Sequence, residues 1–160
     1  MFLIVRQKGD YQAIPIRQGE RWDFHKVLPG RTEVRIVIRV RGRRYLLYTT
    51  CALSKQYPTL KRTQLILLCS EIIATLSEQI LSGQEYIHFE RVAAAAELRH
   101  RRRWIASGLI PMDTPEEYHG HPIDPKTEVL ISRVRVDHPQ IIAMGSESPY
   151  DETEQEDLPN

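Results

Sequence analysis

The sequence predicts an α+β domain, in which an antiparallel sheet of four to five strands packs against two helices and a disordered acidic C-terminal tail follows. Three observations lead to this prediction. Polar and apolar residues alternate through 32–50, as in a strand with one buried face. Two long segments repeat apolar residues at helical spacing. From residue 145 the chain is polar and acidic and has too little apolar surface to join a core. We therefore expect one domain over 1–144 and a tail over 145–160.

The first two strands are predicted within residues 2–16. Two short apolar runs flank Gly9, and a glycine supplies the positive φ that a tight hairpin turn needs. Residues 18–30 are polar and are punctuated by glycine and proline. They predict a loop, from which Trp22 and Phe24 fold back onto the core.

A second hairpin is predicted from the alternation in residues 32–50. Its apolar face would carry Val34, Ile36, Ile38 and Val40. The opposite face would carry a row of arginines: Arg35, Arg39 and Arg41. Gly42 interrupts the pattern, which places the turn near 41–44.

Two helices are predicted after the second hairpin. The first covers about 59–82, with Thr59 as its N-cap and Gly83 just beyond its end. The second covers about 90–107 and ends before Gly108.

Shorter elements complete the predicted domain. A short strand or lead-in is expected at 86–89, and a further strand at 128–136. The four prolines of 109–127 predict an irregular loop between them.

Composition narrows the class of protein. The chain has 160 residues, and we find no run approaching the ~20 apolar residues of a membrane span. Its two cysteines, Cys51 and Cys69, lie in apolar segments, so we expect reduced, buried thiols and a cytoplasmic protein. The chain contains no P-loop, dinucleotide-binding or serine-hydrolase motif. We therefore favour a non-enzymatic protein without a cofactor.

Charge is divided unevenly along the chain. Residues 1–110 carry 19 Lys and Arg against 9 Asp and Glu, whereas 111–160 carry 3 against 12. The basic residues concentrate in the second hairpin and near the end of the second helix. We predict that they bind nucleic acid, because guanidinium groups match phosphates in charge and geometry. The predicted contact residues are Arg35, Arg39, Arg41, Arg43, Arg44, Arg99, Arg101, Arg102 and Arg103.

The leading hypothesis is a small accessory or regulatory protein that binds nucleic acid. The acidic tail would compete with the polyanion for the arginine face, so deleting 146–160 would strengthen binding at low salt. The alternative is a protein–protein adaptor or a homo-oligomer, in which the basic face docks an acidic partner surface. A further alternative is that these arginines bind no partner and form a solvated outer face, which blocks edge-to-edge aggregation, or pair with the acidic segment.

A third hypothesis concerns histidines in the proline-rich loop. His119 and His121 with Asp124 could supply three ligands to a metal ion in a hydrolase, and His138 follows further on. The spacing is permissive, and the chain has no H-E-x-x-H motif. A polar surface loop is therefore the preferred interpretation, and no metal is expected.

Overall fold

The structure, a computed structural model, describes residues 1–118 and 121–122. Its elements in chain order are β1 (Phe2–Gln7), β2 (Asp10–Pro15), β3 (Trp22–Val27), β4 (Arg35–Val40), β5 (Arg43–Thr49), α1 (Cys51–Gln56), α2 (Arg62–Leu81), β6 (Tyr86–His88), α3 (Phe89–Ala106), β7 (Glu117–Tyr118) and β8 (His121–Pro122). This confirms an α+β fold. The predicted strand at 128–136 and the predicted tail at 145–160 lie outside the described residues.

The strands form separate sheets rather than the single antiparallel sheet that the sequence predicted. One sheet has the order β2-β1-β6, the second has the order β3-β4-β5, and β7 pairs with β8. In the first sheet β1 pairs antiparallel with β2 and parallel with β6. The prediction was wrong here because pairing between distant segments leaves no local pattern in the sequence.

Both predicted hairpins form. In the first, Lys8 and Gly9 have positive φ between β1 and β2, and in the second Arg41 and Gly42 do so between β4 and β5. Two successive residues with positive φ make the tight turn whose twist matches paired strands. The segment 18–30 was predicted as a loop, but it contains β3, which pairs along the whole length of β4.

The helices also depart from the predictions in detail. The described residues contain a third helix, α1, which the sequence did not predict. The N-cap of the first long helix, α2, is Lys61, two residues after the predicted cap Thr59. Thr59 instead donates a side-chain hydrogen bond of 3.1 Å to the carbonyl oxygen of Leu109. Cys51 is the first residue of α1 and is exposed, so the prediction of two buried thiols holds only for Cys69.

A single large core joins the two three-stranded sheets to α2 and α3. From α2 it receives one face at helical spacing: Leu65, Leu68, Cys69, Ile72, Leu76 and Ile80. The apolar face predicted for β4 lies in the same core, together with Tyr45 and Tyr48 of β5. Trp22 and Phe24 of β3 pack against it as half-buried residues, as the sequence predicted.

The helix α2 also meets the length and hydropathy of a bilayer-spanning helix, contrary to the expectation that no such segment exists. A helix that fills a protein core meets the same criteria, and a third of the apolar stretch is buried inside this fold. This one helix is therefore weak evidence for a membrane protein.

Candidate functional site

The structure divides the predicted arginine row into residues with different surroundings. The Nε atom of Arg35 lies 3.2 Å from Oε1 of Glu33, which also accepts a hydrogen bond of 2.8 Å from the Thr49 hydroxyl. Arg41 pairs with Glu20 at 3.0 Å and donates a hydrogen bond of 2.7 Å to the carbonyl oxygen of Pro15. These two guanidiniums therefore have carboxylate partners within the fold.

The two arginines at the start of β5 differ sharply in exposure. Arg43 is exposed, whereas only 2% of Arg44 is accessible to solvent. The side chain of Arg44 lies inside the fold, where a ligand on the surface cannot reach it. We therefore correct the predicted interface by removing Arg44 from it.

A surface pocket lies at the end of the second sheet, near the β4–β5 turn. It has a volume of about 390 Å³, and it is lined by Arg21, Trp22, Asp23, Arg39, Arg41 and Gly42. The register of β3 and β4 explains the assembly, because Asp23 lies opposite Arg39 and Trp22 lies opposite Val40. We call it the arginine–tryptophan pocket.

Positive charge predominates in this pocket. Three arginines and one carboxylate, that of Asp23, line it. The Arg41 guanidinium is paired with Glu20, and the Oδ2 atom of Asp23 lies 3.0 Å from Nε2 of His25. Within the described part of the chain, Arg21 and Arg39 make no ion pair. The Nε atom of Arg39 is buried and has no hydrogen-bond partner there. A site with this excess of donors favours an anion.

The pocket also offers an aromatic ring. Trp22 is half-buried and packs edge-on against Phe24, with ring centroids 5.2 Å apart and planes at 64°. This contact holds the indole from one side and leaves part of the ring at the pocket wall. A flat ring beside guanidiniums can stack on a planar group that carries negative charge nearby.

The second predicted cluster, near the end of α3, surrounds a carboxylate of α2. Glu71 Oε1 accepts a hydrogen bond of 2.8 Å from Arg99, and its Oε2 atom pairs with His100 and lies 3.5 Å from Arg103. Burial acts to raise the pKa of Glu71, but the hydrogen bonds and charges of Arg99 and His100 outweigh it and lower that pKa. This cluster links the two long helices.

The remaining arginines of that cluster point to different surroundings. Arg101 is largely buried and lies 3.9 Å from Glu116, whereas Arg102 is exposed. Arg103 keeps 66% of its side chain exposed despite its contact with Glu71. The run 99–103 therefore has a structural part and an exposed part, because successive helical residues point about 100° apart.

Sequence reasoning missed Arg21 and Trp22 as site residues because 18–30 was predicted to be a loop. A signal was present, since Trp22 and Phe24 alternate with polar residues as in a strand. The expectation that the loop with His119, His121 and Asp124 is a polar surface loop stays a prediction, and metal binding there stays the weaker hypothesis. His119, Asp124 and His138 lie outside the described residues, and only the backbone of His121, in β8, is described. In the described ranges no group of three His, Cys, Asp or Glu residues could hold a metal ion.

No protein-family model matches this chain, and no curated protein or solved structure shows significant similarity to it.

Proposed function

We propose that this protein binds single-stranded nucleic acid through the arginine–tryptophan pocket. The observation that supports the proposal is that three arginines and a half-buried tryptophan line one surface pocket. Arg39 and Arg41 come from the predicted interface, whereas Arg21 and Trp22 come from the neighbouring strand and the loop before it. The protein would be a non-enzymatic accessory or regulatory factor that works in the cytoplasm without a cofactor.

The chemistry of the pocket favours a single strand over a duplex. Guanidiniums bind phosphate oxygens through paired hydrogen bonds, and they do so in either form of nucleic acid. An indole ring can stack only on a base that is not already stacked within a duplex. Such stacking contributes about 1–3 kcal/mol per base and tolerates any base. We therefore expect little sequence preference.

An acidic protein surface is the alternative ligand of the same basic residues. Two leucines of α2 support a protein-docking role, because Leu67 is 62% exposed and Leu81 is 79% exposed. The partner could be a second copy of this chain, whose residues 111–160 are strongly acidic. Such self-association would give a mass that rises with protein concentration and falls as salt is added.

The test is fluorescence anisotropy with a labelled oligothymidylate and a matched duplex, measured across a salt series. We expect the single strand to bind more tightly and its affinity to fall with salt. Arg39→Gln should weaken binding about tenfold and reduce the salt slope by about 0.7, the loss of one phosphate contact. Arg31→Gln is the control, because Arg31 is an exposed arginine outside the pocket.

Two results would overturn the proposal. One is the absence of binding to any oligonucleotide at low salt. The other is an equal effect of Arg39→Gln and Arg31→Gln, which would indicate a non-specific attraction to positive charge. A circular-dichroism melt of each variant verifies that the fold survives.

Trp22 provides a second, independent readout. The chain has two tryptophans, and the other, Trp104, is buried against Tyr57. A Trp104→Phe variant therefore reports fluorescence from Trp22 alone. Stacking on a base should quench that fluorescence, and an unchanged spectrum at saturating oligonucleotide would exclude contact between Trp22 and the bases.

A further inference from the structure

A second basic pocket lies in the groove between α2 and α3. One wall comes from Thr75 and Gln79 of α2, and the other comes from Arg91, Ala95 and Arg99 of α3. Helical spacing explains both walls, because residues four apart lie on the same face. The small side chain of Ala95 leaves space between the two arginines, and the pocket has a volume of about 620 Å³. We call it the interhelical pocket.

The interhelical pocket is positively charged. Its two arginines are separated by eight residues, which corresponds to about 12 Å along a helix. The Nε atom of Arg99 donates a hydrogen bond to Glu71. This contact orients the guanidinium and does not involve its two terminal nitrogens. Among the described residues that line this pocket none is acidic. The other polar groups are two amides, two hydroxyls and the imidazole of His88, whose Nδ1 atom lies 3.5 Å from Nη1 of Arg91.

An apolar groove lies between the two basic pockets. It has a volume of about 750 Å³. Its lining is mainly apolar and includes Phe2, Ile16, Trp22 and Leu81, with Arg17, Gln18 and Glu20 on its polar side. Trp22 also lines the arginine–tryptophan pocket, so the groove and that pocket share a wall. A groove with this lining suits flat, weakly polar groups such as nucleobases.

At its other end the apolar groove is lined by residues that contact or neighbour those of the interhelical pocket. Phe2 of the groove stacks on Tyr86, with ring centroids 5.7 Å apart and planes at 17°. Tyr86 lines the interhelical pocket. The end of α2 gives a second link, since Leu81 borders the groove and Gln79 borders the pocket.

We infer that these three depressions form one path for a single strand of nucleic acid. Bases would lie in the apolar groove beside Trp22, and phosphates would contact the arginines at each end. Two carboxylates border the path: Glu20, which is paired with Arg41, and Asp23, whose Oδ2 atom lies 3.0 Å from Nε2 of His25. This inference rests on the proposed function and adds to it a second binding site and a minimum length of ligand.

The test compares two oligothymidylates of about 4 and about 12 nucleotides, lengths within the range that single-strand-binding folds cover. The short one should bind at the arginine–tryptophan pocket alone, and the long one should bind more tightly because it reaches both pockets. Arg91→Gln should weaken the long oligonucleotide about tenfold and leave the short one unchanged. Arg31→Gln again serves as the control for lost charge.

A second variant tests the groove itself. Leu81 is 79% exposed, so Leu81→Glu should leave the fold intact while it places a negative charge on the path. It should weaken the long oligonucleotide more than the short one. Thermal melts verify that both variants remain folded.

The outcomes separate this inference from the proposed function. If Arg39→Gln weakens binding but Arg91→Gln and Leu81→Glu do not, the path is overturned and the arginine–tryptophan pocket stands. Equal affinity of the wild type for both lengths would also overturn the path. If neither oligonucleotide binds at low salt, both proposals fall.

Discussion

Replacing Glu71 with glutamine should lower the free energy of unfolding by about 1.5–3 kcal/mol at neutral pH. Glu71 is the carboxylate of α2 on which Arg99, His100 and Arg103 of α3 converge. Glutamine has the same size but no charge, and it presents one oxygen acceptor instead of two. The substitution therefore leaves the three basic side chains close together without the charge that compensates them.

The exposure of each partner sets this magnitude. The side chain of His100 is 8% exposed, and a buried hydrogen bond to a charged group is worth about 1.5–3 kcal/mol. Its contact with Glu71 is therefore the main contribution to the loss of stability. Arg99 is 45% exposed and contributes at most about 1 kcal/mol, as for surface ion pairs. Arg103 is mostly in solvent and adds little. The oxygen that glutamine retains offsets part of the loss.

The effect of Glu71 on stability should depend on pH. Its pKa is lower in the folded protein than in the unfolded chain, so the unfolded chain takes up the proton first as pH falls. The stabilisation is complete above the ordinary glutamate pKa of about 4.3. It is lost as pH falls through the folded pKa, and the difference between wild type and Glu71→Gln should shrink there.

Urea denaturation followed by circular dichroism, repeated from about pH 7 to about pH 3, measures both effects. Glu78→Gln is the matched control, because Glu78 is an exposed glutamate of the same helix. A Glu71→Gln protein as stable as the Glu78→Gln protein at neutral pH would refute the reasoning. So would a stability difference that stays constant down to the lowest pH.

Two further predictions concern the core and the thiols. Leu68→Ala should destabilise the protein by about 2–5 kcal/mol in the same urea assay, because Leu68 is fully buried and the truncated side chain leaves a cavity. A cost below about 1 kcal/mol would contradict the packing described for α2. In the native protein a thiol reagent should label the exposed Cys51 and should not label Cys69 until the chain is unfolded. The reason is that burial raises the pKa of Cys69 to about 12. Rapid labelling of both thiols in the native protein would show that Cys69 is accessible.

Local patterns in the sequence predicted the two hairpins and the two long helices correctly. The hairpins followed from alternation around Gly9 and Gly42, and α2 and α3 followed from apolar residues at helical spacing. These signals succeed because each depends on residues a few positions apart. The arrangement of strands into two sheets, and the parallel partner of β1, depend on contacts between distant segments and could not be predicted in this way.

The strand β3 shows how a contact elsewhere can hide a local signal. Trp22, Phe24 and Lys26 alternate along the face that packs toward α2, and a lysine there breaks the apolar pattern. The structure accommodates it because the Lys26 ammonium donates a hydrogen bond of 2.6 Å to the hydroxyl of Ser70 in α2. No feature of 18–30 alone indicates that partner.

The candidate site was predicted only in part for the same reason. Alternation correctly placed Arg35 and Arg39 on one face of β4, but it gave no information on which arginines would meet a carboxylate. Glu20 and Glu71 reach Arg41 and Arg99 from other elements. The burial of Arg44 likewise depends on what covers its strand and not on its position in the alternation.

The parallel pairing of β1 with β6 has a consequence for the order of folding. The hairpin of β1 and β2 closes over a few residues, whereas Phe2 meets Tyr86 only after most of the described chain has been brought together. Contacts between distant segments form slowly, because the entropy of closing a long loop must be overcome first. Each of the two basic pockets is lined by residues from one stretch of chain, 21–42 or 75–99, whereas the apolar groove joins residues 1–22 to 80–83 and would therefore form after both of them.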